Sequence, residues 1–173
     1  GAQGAREVAA RRREPSEPVV GGADLAAEER GQPCAPPDLQ LAHLAVGHNG
    51  MLNPVVNWDI PTLAGAGAIR STAEDMLDYV SLALGRGPKD LQADVVAQTA
   101  RRRPAATPGV EVGLGWHIST RRGQEIVWHN GGTAGYLTFA GFDRKRGLGV
   151  VVLTNASAPP GGDDIGFHIF CMN

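Results

Sequence analysis

Cysteine is nearly missing from this chain. Only Cys34 and Cys171 occur. They stand far apart in unlike contexts, so no disulfide framework holds the fold together, and a single bridge between them is left open. No apolar run reaches the length of a membrane span. Residues 1–13 carry charges with no apolar stretch behind them, so they do not read as a signal peptide. A surplus of charge is lacking too. The net charge of -2 gives no pull toward nucleic acid or an anionic membrane. Arg11-Arg12-Arg13 is short and balanced by nearby acids. Metal-ligand spacing is likewise missing. The histidines are His43, His48, His117, His129 and His168, with no His-x-His, His-x-x-x-His or Cys-x-x-Cys pattern among them. Neither a metal nor another cofactor is implied. Gly65-Ala66-Gly67 does not follow a strand and open a helix, so it is no dinucleotide fingerprint. Trp58, Trp116 and Trp128 have no basic groove beside them and read as core or site walls.

What is present fits one globular domain. A length of 173 residues with 42% hydrophobic and 20% charged content can bury a real core. The 24 glycines and 12 prolines are in excess, mostly in loops and in the N-terminal third. Residues 1–40 are poor in large apolar groups and read as a low-complexity, partly disordered arm, with short helices at most over 4–13 and 24–30. Order is expected from about residue 39. Residues 41–46 are apolar and end at Gly47; Asn49-Gly50 then signals a hairpin, with an edge strand returning over 51–58.

The clearest helix starts at Ser71, read as an N-cap with Glu74 completing a capping box. Ala73, Met76, Leu77, Val80, Ala83 and Leu84 form its apolar stripe, and Gly85 stops it. A weaker helix is predicted over 89–100, with Leu91, Val95 and Val96 inward. Strands follow over 112–119, 125–129, 136–143 and 147–155. The last contains Val150-Val151-Val152-Leu153, which reads as a central strand. Short polar links favour antiparallel neighbours. Asp163-Asp164 is predicted to cap a final helix over 165–171. The fold class is therefore α+β, an antiparallel sheet flanked by helices.

Between two of these strands lies Ile126-Val127-Trp128-His129-Asn130-Gly131-Gly132-Thr133-Ala134-Gly135-Tyr136. An apolar run delivers a histidine and then a glycine-rich turn, which is how a strand edge offers one polar side chain and bare amides to a ligand. Read alone, His129 is a turn histidine with a satisfied hydrogen bond. Three further segments bear on it: Gly65 through Ser71-Thr72-Ala73-Glu74-Asp75-Met76, then Gly113-Leu114-Gly115-Trp116, and last Val150-Val151-Val152-Leu153-Thr154-Asn155. In this order the set resembles the C-terminal part of the serine β-lactamase and penicillin-binding-protein family, near its class C and D-alanyl-D-alanine carboxypeptidase branch. The resemblance covers residues 41–173.

It implies a β-lactamase/transpeptidase-like fold, incomplete here, and an acyl-serine reaction on a β-lactam, a D-Ala-D-Ala peptide or an ester. His129-Asn130-Gly131 would stand where the family carries Lys-Thr-Gly. His129 would polarise the substrate carboxylate or the proton relay, and Gly132 N–H would be half of an oxyanion hole. Asn130, Gly131 and Thr133 would contact substrate. The family nucleophile sits in Ser-x-x-Lys. Here Ser16, Ser71, Ser81, Ser119 and Ser157 are followed three residues on by Val19, Glu74, Leu84, Arg122 and Pro160. Tyr-x-Asn is missing as well, since Tyr79 and Tyr136 are followed by Ser81 and Thr138. The expectation is a chain that is silent alone, its partner a small molecule or peptide in a full-length parent, with an unpaired sheet edge open to self-association. The alternative is a non-catalytic ligand-binding or interaction module built on that fold.

Overall fold

The structure, a computed structural model, describes residues 43–58, 60–159 and 161–172. The N-terminal arm, residues 41 and 42 and Cys34 lie outside the described residues. A 3-10 turn, Pro61–Leu63, leads into the single-turn helix α1, Ala64–Gly67. Helices α2, Ala73–Ala83, and α3, Lys89–Ala97, follow. The strands are β1 (Arg103–Pro104), β2 (Val110–Val112), β3 (His117–Arg121), β4 (Gln124–Thr133), β5 (Tyr136–Asp143) and β6 (Leu148–Thr154). Helix α4, Gly162–Met172, comes last. All six strands join one sheet in the order β1-β2-β3-β4-β5-β6, and every neighbouring pair is antiparallel. The α+β class read from the sequence is the class observed.

Period-two alternation splits the strand residues between two cores. Val127, Phe142 and Ile118 face α2, where Val80, Ala83 and Trp116 complete one buried cluster. Ile126, Phe139 and Val150 face α4 and close on Phe170 in the second. Phe139, Phe142 and Phe170 are fully buried, and truncating one to alanine typically costs about 3–5 kcal/mol. Gly166 lets α4 lie directly on the Phe139 ring, because a Cβ there would overlap that ring.

Several boundaries differ from the sequence reading. The stretch 112–119 is two strands. Gly113 N–H donates to Trp116 O at 2.9 Å and Gly115 takes φ +72°, so the chain reverses between β2 and β3. Gly131 and Gly132 are not a turn. They belong to β4, which reverses only at Ala134-Gly135. The β3–β4 link is a two-residue turn at Arg122 (φ 51°) and Gly123 (φ 76°), the primed geometry that matches strand twist.

Thr72, not Ser71, caps α2. Its hydroxyl accepts from Asp75 N–H at 3.1 Å, so the working pair is one residue later than the Ser71/Glu74 box. In α3 only Val95 of the expected three is buried. Leu91 and Val96 are exposed, because a helix of 9 residues packing against α2 buries a narrow stripe. Asp163 and Asp164 lie inside the first turn of α4 rather than before it.

The Asn49-Gly50 hairpin is a reversal without strands. The Asn49 side chain accepts from Met51 and Asn53 amides, both at 3.0 Å, and Leu52 takes φ 62°. Only the bridge between His48 and Pro54 forms. Finally, β6 is the last strand of the sheet among the described residues, not a central one. Its side chains are apolar in both directions because α2 and α4 cover its two faces, not because strands flank it on both sides.

Candidate functional site

The family-like segments outside β4 hold the frame. Thr72 caps α2, as above. At Gly113 a Cβ would stand 2.6 Å from Gln98 O, and Leu114 N–H donates to that oxygen at 2.7 Å. Trp116 Nε1 donates to Gln98 Oε1 at 2.9 Å, which ties the same turn to the end of α3. Asn155 Nδ2 donates to Val46 O at 2.9 Å, and His48 N–H donates to Asn155 O, also at 2.9 Å. These contacts pin residues 44–58 beside the β4–β5 hairpin. There Tyr136 Oη hydrogen-bonds Ala45 O at 2.5 Å and Asn57 Oδ1 at 2.7 Å.

Strand β4 outruns its neighbour. Its pairing with β3 ends at His117↔Trp128, whereas its pairing with β5 continues to Thr133↔Tyr136. Residues 129–133 therefore show an unpaired edge on the β3 side, among the described residues. The parity of that edge follows from the hairpins. A two-residue loop closes on a hydrogen-bonded pair, Arg121↔Gln124 on one side and Thr133↔Tyr136 on the other. Both counts turn the main-chain groups of Trp128, Asn130 and Gly132 toward β3. Beyond Trp128 no β3 residue meets them, so the amides of Asn130 and Gly132 face the open edge.

The side chains part company. His129 is exposed and projects to the face that carries Val127, whereas Asn130 projects to the α4 face with Ile126 and Trp128. From the Val127 face the His129 ring reaches the strand edge, within 5.5 Å of His117, which lines the space on the α4 side. His117, at the end of β3, brings a second imidazole that the sequence reading passed over. Its ring lies 5.5 Å from His129 at an interplanar angle of 19°, and 4.8 Å from Trp128. Burial, and then repulsion from His129, hold the His117 pKa below the ordinary 6.5. Thr133 ends the strand half-buried against the hairpin.

Asn130 Nδ2 donates to Asp163 Oδ2 at 2.7 Å, which joins β4 to the first turn of α4. Asn130, Gly131, Leu137, Thr138 and residues 161–164 line a cleft of about 290 Å³. Beside it a space of about 460 Å³ is walled by His117, Ser119, Arg121, Trp128 and Phe167, and it shares Asp163 and Asp164 with the cleft. His129 and Gly132 line neither space. Trp128 Nε1 donates to Ser119 Oγ at 2.9 Å, so that serine is engaged with the indole. Among the described residues no group of three or more His, Cys, Asp or Glu gathers as a metal cage, and no helix is long and apolar enough to cross a membrane.

Comparison with known proteins gives this geometry a context. A human (Homo sapiens) protein described as beta-lactamase-like 1 is 31% identical over 131 residues, 73% of this chain and 26% of its own length. An unguisins hydrolase of Aspergillus campestris is 30% identical over 111 residues, 60% of this chain and 21% of its own. The chain thus spans about a quarter or less of these relatives. Among solved structures, a D-alanine carboxypeptidase from Burkholderia cenocepacia superposes with a TM-score of 0.69 at 18% identity. It is matched over 79% of this chain and 48% of its own. A beta-lactamase/D-alanine carboxypeptidase from Pseudomonas syringae gives a TM-score of 0.68 at 18% identity, over 80% of this chain and 48% of its own. These likenesses show the β-lactamase/transpeptidase fold. The sequence profile of the beta-lactamase family matches residues 5–169, and this chain belongs to that family.

Proposed function

We propose that this chain supplies the ligand-facing wall of a β-lactamase-like serine hydrolase site. The reaction is acyl transfer through a serine, on a β-lactam, a D-Ala-D-Ala peptide or an ester. The open edge of β4 carries the reading. It offers the Gly132 amide to a developing alkoxide, with His129 projecting beside it. Losing one such donor typically costs about 10²–10³ in rate. Asn130, Gly131 and Thr133 shape the adjoining contacts with the ligand.

The attacking hydroxyl is carried by polypeptide that these residues do not include. No serine is followed three residues on by lysine, and no tyrosine is followed two residues on by asparagine. Ser71 Oγ is turned to the Thr72 carbonyl at the start of α2, and Ser119 Oγ accepts from Trp128 Nε1, so both hydroxyls are engaged with the frame. Alone, the chain binds and does not turn over.

The test is a pair of measurements on the 173-residue chain. Incubation with a fluorescent penicillin and with a fluorophosphonate, read by intact mass, is expected to add nothing covalent. Titration with benzylpenicillin, read by amide NMR, is expected to move Asn130, Gly131, Gly132 and Thr133 saturably, and His129→Ala to weaken that binding. A label on any serine overturns the silent reading. Saturable shifts that avoid β4 overturn the site. A cooperative melt together with retained ligand identifies a self-sufficient binding module, the alternative of a different class.

A further inference from the structure

Two imidazoles meet where β4 runs past β3. His117 pairs with Trp128 at the last rung of that ladder, and His129 is the next residue of β4. The ring centroids are 5.5 Å apart, with the planes 19° from parallel. The His117 ring is backed by Trp128 at 4.8 Å, and that indole is itself fixed, through Nε1 to Ser119 Oγ at 2.9 Å and edge-on to Phe167 at 5.0 Å. The His129 ring is exposed and free to change rotamer. Among the described residues neither imidazole has a hydrogen-bond partner, although His117 is half-buried. Polar groups taken out of water are normally satisfied, as His48 is through Nδ1 and Asn155 O. Adjacent imidazoles with unbonded nitrogens make a chelating pair, and imidazole suits the later divalent metals. Each nitrogen binds such an ion at about 2.0–2.1 Å, so an ion between two rings sets their centroids about 5–6 Å apart. The observed 5.5 Å falls in that range.

We propose that His117 and His129 form a two-histidine site for a late first-row divalent ion: zinc, nickel or copper. Spacing along the chain carries no sign of it, because strand register brings the rings together. The ion takes one nitrogen from each ring. Asp163 and Asp164 wall the same space as His117 and add negative charge there. Arg121 lines that space too, with its guanidinium over the Phe167 ring, 4.0 Å from the centroid. No third His, Cys, Asp or Glu joins the pair as a cage among the described residues. The remaining coordination positions therefore go to water or to a donor atom of a small molecule. Such a site is weaker than a four-ligand structural centre and exchanges its ion readily. Magnesium and calcium, which take oxygen ligands, are poor fits. The inference does not depend on β4 acting as a ligand wall, because the ion binds with or without an organic ligand.

The untagged 173-residue chain is titrated with zinc near pH 7.5, where ordinary imidazoles are mostly neutral, and read by histidine side-chain NMR. The His117 and His129 signals are expected to move together on one saturable curve with one ion per chain. Those of His43, His48 and His168 are expected to stay in place over the same range. Calorimetry is expected to rank copper tightest, with magnesium and calcium giving no binding. His129→Gln, a change at an exposed ring, is expected to weaken zinc by about 10–100-fold, at least as much as removing a ligand's supporting partner costs. His117→Gln should do the same, and His168→Gln, at an exposed histidine of α4, should leave the affinity unchanged. Separate curves for His117 and His129, a zinc affinity unmoved by His129→Gln, or a response no stronger than that of His168 overturns the site. The titration contains no β-lactam, so a failed ligand wall and a failed metal pair are read in different experiments.

Discussion

At the scale of single residues, the most informative pair is His117 and His129. His129 was legible because an apolar run delivers it to a glycine-rich stretch. His117 was not, since its neighbour in space lies 12 positions away in the chain and the register of two strands creates the contact. The pair has a consequence for pH. The folded-state pKa of His117 is depressed, by burial first and by His129 second. The unfolded chain therefore binds its proton at a higher pH than the folded chain does. Stability is intact above the ordinary value of 6.5 and declines as pH falls from there toward the lowered folded value. Denaturant titrations at steps between about pH 7.5 and 5 are expected to show that decline. In His117→Gln the slope should flatten. By NMR, His129→Asn should move the His117 titration upward, because one of the two causes is removed. An unmoved His117 titration would show the rings to be uncoupled.

At the scale of elements, capping and close contact decide the detail. The stretch Ser71-Thr72-Ala73-Glu74-Asp75 holds two overlapping capping patterns, and sequence alone does not choose between them. The chain chooses Thr72 because that residue is extended while residue 73 is already helical. Thr72→Ala is expected to cost about 1 kcal/mol in urea unfolding, and Ser71→Ala almost nothing. Equal losses would contradict the observed cap. Helix α4 gives a second test. Gly166→Ala pushes a methyl into the Phe139 ring and is expected to destabilise by about 1–3 kcal/mol, with the same change at exposed Gly123 serving as a contrast in a site of different backbone strain. The helices and the last two strands could be read from periodicity and stop signals. The β2–β3 reversal and the inclusion of Gly131 and Gly132 in β4 could not. Glycine marks a turn or a close approach equally well, and only the partner strand distinguishes them.

At the scale of the whole molecule, the described residues leave much apolar surface uncovered. Met51 is 79% exposed, Val56 88% and Ile69 80%, all on the segment that leads into α2. The outer edge of β6 is unpaired apart from the single bridge from His48 to Ala156 just beyond its end, among the described residues. Exposed edges and apolar patches invite a second chain. Concentration-dependent association is the expected outcome in sedimentation velocity. Leu153→Lys, at a β6 position 41% exposed, should shift the distribution toward monomer. A monomer at all concentrations would remove the β6 edge from consideration.

Local chemistry determined the helices, most strands and the α+β class, and the order of four short segments carried the resemblance to the family. These rest on spacing, caps and short segments in order, all of which act between residues close in the chain. Tertiary structure alone decided which amides of β4 are open, that His129 and Asn130 project to opposite faces, and that Asp163 comes to Asn130. Each of these depends on strand register and on where α4 docks. Register and docking are set by burial against partners dozens of residues away, which no local pattern encodes.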